Sequence, residues 1–113
     1  MTEQRFCYTF EILPDRVEEY EREHHPVWDG VVQAMHAAGI TEFSLFRRGT
    51  SVIATGSATR EIEAVFAELD TDPVNAAWSA HIRQYMSVSV DANGALFMSD
   101  ECWRMPSATP TTP

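Results

Sequence analysis

Residues 5–12, Arg-Phe-Cys-Tyr-Thr-Phe-Glu-Ile, alternate strictly in character. In an extended chain Phe6, Tyr8, Phe10 and Ile12 fall on one face, and Arg5, Cys7, Thr9 and Glu11 fall on the other. A strand with one strongly apolar face belongs to a sheet that buries that face under other elements. The remaining punctuation then limits how the rest of the chain can supply them.

Leu13-Pro14-Asp15 ends the strand, and Pro14 or Asp15 opens a helix whose early carboxylates suit the helix dipole. Val17, Tyr20 and His24 lie along one stripe of it. Pro26 lacks a donor and pushes His25 out of the helical region, so a break is expected at His24–His25, with Pro26 restarting the helix at its first turn. Val27, Val31, Val32, Met35 and Ala38 continue an apolar face as far as a C-cap at Gly39. Residues 40–47 and 51–57 read as a hairpin about Arg48-Gly49-Thr50. Thr59 is the expected cap of a helix carrying Ile62, Val65, Phe66 and Leu69. Thr71 or Asp72 caps the next helix, with Pro73 in its first turn, and that helix runs to about Met86. Asp91 to Gly94 form a turn, and residues 95–105 a last strand.

The order strand, helix, strand, strand, helix, strand is that of a ferredoxin-like α+β domain with one antiparallel sheet, βαββαβ. The domain is expected over 1–106, followed by a Pro/Thr-rich tail at 107–113. Helices on one face leave the other face bare, so a second copy is the expected cover. In that arrangement Cys7 and Cys102 lie on neighbouring strands. Both are expected as free thiols in a reducing compartment.

A net charge of −9 argues against nucleic acid and against an anionic membrane surface. All eight basic residues are arginine, so lysine Schiff-base chemistry and a phosphate-loop lysine are excluded. No apolar run is long enough to span a bilayer and no signal peptide is visible, so the expected location is the cytoplasm. The histidines show no metal-ligand spacing, and neither a metal nor a cofactor is expected. Arg47-Arg48 reads as a solvated turn.

The stretch with most chemical potential is Tyr20-Glu21-Arg22-Glu23-His24-His25-Pro26-Val27-Trp28. Tyr20 and His24 share a helix face. A phenol beside an imidazole binds hydroxylated ligands and moves protons. The residues alone leave open a second role for His24, holding a carbonyl freed by Pro26.

This stretch resembles the Tyr-x-x-x-His-Asn-Pro-x-Trp-like segment of the L-rhamnose mutarotases. The resemblance extends to the aromatic strand Thr41-Glu42-Phe43-Ser44-Leu45-Phe46, to Trp78 in the last helix, and to Cys102-Trp103-Arg104-Met105-Pro106, and so covers residues 5–106. It implies a dimeric α+β barrel and a cofactor-free isomerase acting on a sugar. It further implies His24 as acid/base at the anomeric centre and Tyr20 as a sugar contact. Trp28, Phe43 and Trp78 are then the expected substrate platform. Three positions depart from the family pattern: Phe43 stands where a tyrosine is usual, Ser79 follows Trp78 where a second tryptophan is common, and His25 replaces asparagine.

Two further readings stay open at the level of sequence. One is the same barrel turned to a more hydrophobic, polyketide-like biosynthetic substrate as a cofactor-independent isomerase, cyclase or monooxygenase. The other is a dimeric module that binds a small ligand without chemistry.

Overall fold

The computed structural model describes residues 3–108, so most of the 107–113 tail lies outside the described residues. Strand β1, Gln4–Ile12, follows the alternation: Phe6, Phe10 and Ile12 are buried and Tyr8 is half-buried on the same face. Helix α1, Val17–Glu23, is only seven residues long and ends with His24 as its C-cap. Helix α2, Asp29–Ala38, begins beyond Trp28 and ends at Gly39, whose φ of 104° is open to glycine and strained for other residues. Strands β2, Ile40–Arg48, and β3, Ser51–Ala58, form the hairpin. Helices α3, Ile62–Thr71, and α4, Pro73–Arg83, follow, and two short strands close the chain, β4 at Met86–Val88 and β5 at Phe97–Met98.

The sheet order is β2-β3-β1-β4, with β5 also on β1, and the pairings are antiparallel. This is the expected α+β, ferredoxin-like arrangement. Its fourth strand differs from the expected 95–105. Met86 and Val88 pair with Ile12 and Glu11; Phe97 and Met98 pair with Thr9 and Tyr8. β4 and β5 are therefore two pieces of one strand position, interrupted by the loop 89–96. That loop turns on Asp91, whose Oδ1 accepts from the Asn93 and Ala95 amides at 2.8 and 3.0 Å. Cys102 lies beyond β5, so it does not share a strand with Cys7's neighbours; both thiols are free, Cys7 half-buried and Cys102 exposed.

Three local expectations are corrected. Pro26 does not restart a helix: the His25–Pro26 peptide is cis and sits in the turn, and α2 starts three residues later at Asp29, an acid suited to its first turn. Thr59 does not cap α3, because its amide extends the sheet by donating to the Gly39 carbonyl at 2.9 Å; Glu61 occupies the N-cap position without a side-chain bond. The last helix stops at Arg83, which frees Met86 for the sheet. Asp72 does cap α4, its Oδ1 accepting from the Asn75 amide at 2.9 Å, with Pro73 at the first turn.

Gly56 is placed by close approach. It pairs with Phe6 on one side and Phe43 on the other, and the two rings meet over it at 5.5 Å. A Cβ there would overlap both the Glu42 carbonyl oxygen and the edge of the Phe6 ring. On the opposite sheet face, away from the helices, Phe46, Ile53, Thr9 and Phe97 form one cross-strand row. Phe46 is 60 % exposed and Ile53 41 %.

Candidate active site

A cavity of about 930 Å³ lies between the helices and the aromatic face of the sheet. Of the residues singled out from sequence, Tyr20, His24, Phe43 and Trp78 line it. Trp28 does not. It packs edge-on against Trp78 at 5.1 Å and lies over the His81 ring at 5.7 Å, behind the cavity wall. His25 is exposed and also stands outside the lining.

His24 is held from three sides. Its Nδ1 lies 2.7 Å from the Tyr20 carbonyl oxygen, a group left without a helical partner where α1 stops. Its ring sits 4.5 Å from the Tyr20 ring and meets Trp78 edge-on at 5.3 Å. A carbonyl only accepts, so Nδ1 carries the proton and Nε2 keeps a free lone pair. Burial lowers the His24 pKa below the ordinary histidine value, partly offset by the bond to the Tyr20 carbonyl. The imidazole is thus a neutral base at neutral pH. The bond to a freed carbonyl, one of the two roles the sequence left open for His24, is present, and it fixes the tautomer.

Tyr20 is buried, and burial raises its pKa, with Tyr8 and Glu21 adding to the rise. Tyr8 also lines the cavity, its pKa pushed up to about 12 by burial. Both phenols stay protonated and act as donors at neutral pH. Sequence reasoning assigned Tyr8 to the apolar face and missed its hydroxyl as a site group. The signal was present: within that alternating face it is the one side chain with a polar end.

A second cluster was also missed. Glu23, next to His24 but pointing to α4, lies 3.0 Å from His81 Nε2 and accepts from the Tyr85 hydroxyl at 3.4 Å. The His81 hydrogen bond is the main cause of a lowered Glu23 pKa. Arg16 lies 4.7 Å from the Tyr85 ring centroid and pairs with Glu19. This cluster ties the last turn of α1 to His81 on α4, and both ends of α1 to Tyr85 just beyond it. Among the described residues no group of three or more histidine, cysteine, aspartate or glutamate side chains is placed to hold a metal ion. No described helix is long and apolar enough to cross a membrane.

The family model for L-rhamnose mutarotase matches residues 5–105. The chain belongs to the L-rhamnose mutarotase family. As a family member it is a sugar mutarotase, an isomerase of the racemase and epimerase class. It is 26 % identical over 91 residues to an L-rhamnose mutarotase of Brucella anthropi, covering 80 % of this chain and 86 % of the relative. It is 35 % identical over 86 residues to an L-fucose mutarotase of Xanthomonas campestris, covering 71 % and 69 %. The crystal structure of an L-rhamnose mutarotase from Formosa agariphila superposes with a TM-score of 0.72 at 15 % identity, over 91 % of this chain and 99 % of that one, and shares the fold. Phe43 and Ser79, the positions expected from sequence to depart from the family pattern, both line the cavity.

Proposed function

We propose that this mutarotase exchanges the anomers of a 6-deoxy-L-hexose, with His24 as the acid/base. The observation that carries the reading is the bond from His24 Nδ1 to the Tyr20 carbonyl, which leaves Nε2 as a neutral base in the cavity. Nε2 takes the proton of the anomeric hydroxyl. The C1–O5 bond breaks as the Tyr20 hydroxyl gives its proton to O5, producing the open-chain aldehyde. Rotation about C1–C2 presents the other carbonyl face. O5 then attacks C1 and returns its proton to Tyr20, while O1 takes back the proton held by His24. Atoms and charge balance over the cycle, and no cofactor enters it.

Trp78 offers its ring to the apolar face of the pyranose, and Tyr8 donates to a ring hydroxyl. Phe43 stands further along the wall. The names of the relatives support a 6-deoxy sugar: L-rhamnose and L-fucose share the C6 methyl and differ at C2 and C4. Starting each sugar as a pure anomer and following exchange by NMR tests the assignment. Exchange well above buffer that falls ~10²–10⁴-fold in His24→Ala is the expected result. Exchange that survives this substitution removes His24 from the mechanism.

The working unit we assign is a homodimer formed through the sheet face away from the helices. The exposed row of Phe46, Ile53 and Phe97 supports this, since isolated domains rarely leave so large an apolar stripe in water. Free Cys7 and Cys102 fit action in a reducing cytoplasm.

A further inference from the structure

We propose that the sugar turned over carries an apolar substituent on the side of the pyranose remote from its anomeric carbon. This rests on the mutarotase reading and names the substrate class for the same cavity.

Size is the first argument. At about 930 Å³ the cavity lies at the upper end of the roughly 300–1,000 Å³ that encloses drug-sized ligands. A free monosaccharide is far smaller and would leave most of it to water.

The distribution of polar groups is the second. His24, Tyr20 and Tyr8 form one group, linked through Phe10 by ring spacings of 4.5, 6.0 and 6.2 Å. Of the other uncharged or basic polar side chains in the lining, His36, Thr41 and Arg83 are exposed, Ser79 and Ser89 are half-buried, and Asn75 is occupied by the Leu69 carbonyl. Beyond Tyr8 the wall changes character. Phe66 meets Tyr8 edge-on at 5.8 Å, and Phe6, behind the lining, holds Phe66 at 5.2 Å and Phe43 at 5.5 Å. None of these three rings carries a hydroxyl. Phe43 sits on β2, two strands away from Tyr8 on β1, which is ~10 Å by the spacing of a sheet. That is farther than one pyranose ring reaches. The carboxylates that border the cavity, Glu42, Glu63 and Asp70, are exposed and belong to its mouth.

Orientation joins the two. With C1 at His24, the opposite corner of the ring is C4, and a group there runs along Phe66 toward Phe43. Poorly partnered water on such a wall is displaced favourably by an apolar group. The free anomeric hydroxyl that mutarotation requires is untouched. The ligand class is therefore a reducing 6-deoxyhexose substituted with an aryl or alkyl group at O4.

The test compares anomer exchange of L-rhamnose, L-fucose and the 4-O-benzyl derivative of each, with the intact protein and with Phe66→Ala and Phe43→Tyr. The expected result is a kcat/KM for one benzyl derivative at least ~10-fold above its parent sugar, within the range that apolar pocket contacts discriminate. That ratio falls toward one in Phe66→Ala. Phe43→Tyr, which keeps the ring and adds only a hydroxyl, lowers it as well and serves if Phe66→Ala does not fold. Parent sugars exchanged as well as or better than their derivatives overturn the inference and leave the mutarotase reading standing. No exchange of any of the four compounds overturns both.

Discussion

The Nδ1 atom of His24 lies 2.7 Å from the carbonyl oxygen of Tyr20, one helical turn earlier. The last turn of α1, where carbonyls lose their helical partners, thus supplies the acceptor that sets the imidazole tautomer. Burial keeps that base neutral, with its pKa below the ordinary ~6.5. The sign follows directly. kcat/KM is flat at neutral pH and falls on the acid side as Nε2 is protonated, with an inflection below the usual histidine value. A pH–rate profile by anomer-exchange NMR checks this, and an inflection at or above ~6.5 contradicts it. The same lowered pKa makes the fold lose stability as pH falls from the unfolded histidine value through the folded one.

Glu23 is a positioning residue. A seven-residue helix is marginal alone, and the bonds from Glu23 to His81 and Tyr85 fasten its last turn to α4. Glu23→Ala is expected to lower kcat by about tenfold with KM little changed, because small displacements of a base are costly. Glu23→Gln retains an acceptor for both partners and recovers most of the rate. Steady-state kinetics on the pair decide it: equal losses in the two variants would mean that charge, not position, is what matters.

Gly56→Ala places a methyl against the Glu42 carbonyl and the Phe6 ring. Backbone cannot yield as a side chain can. The expected cost is ~1–3 kcal/mol of stability, read as a lower urea midpoint with unchanged slope. An unchanged midpoint would show that the ring of Phe6 moves aside freely.

Phe46→Lys puts a charge at the β2 end of the exposed row on the open sheet face, on its most exposed ring. Sedimentation equilibrium is expected to report a dimer for the parent chain and a monomer for the variant. A parent chain that sediments as a monomer at tens of micromolar removes the dimer assignment, since interfaces of roughly 1,600 Å² range from micromolar to picomolar affinity.

Removing the Asp72 carboxylate as Asp72→Ala strips the cap from α4 and is expected to cost ~1 kcal/mol. Thermal unfolding measures it. Thr59→Ala is the matched control, since Thr59 holds the Gly39 carbonyl mainly through its amide at 2.9 Å, its hydroxyl adding only a long 3.4 Å bond to the same oxygen, and it should shift the midpoint less.

Part of the fold is legible in the sequence. The Phe6–Ile12 alternation, the Asp72-Pro73 start and the Gly39 stop are local signals, each with a local cause. The juxtaposition of the His24 and Tyr20 rings was legible because a helix joins residues four apart. The losses have physical reasons too. Met86–Val88 is too short to show a period, and its apolar residues continue those of the preceding helix. Thr59 has good cap chemistry, but its amide was claimed by the Gly39 carbonyl across the chain. Trp28 reads as a platform until Trp78 and His81 are seen to occupy its ring. Tyr8 was hidden among phenylalanines, and its role appears only when the cavity is found above it.

The interrupted fourth strand separates two tasks that a continuous strand would couple. β4 and β5 keep their pairing with β1, and so hold Tyr8 in register, while the loop 89–96 between them borders the cavity through Ser89, Val90 and Leu96. Residues can be inserted or deleted in that loop without moving any side chain on β1 to the other face. The shape of the entrance can therefore drift by changes in length while Tyr8, Tyr20 and His24 stay fixed, which is a modular route to new sugars on an unchanged cavity floor.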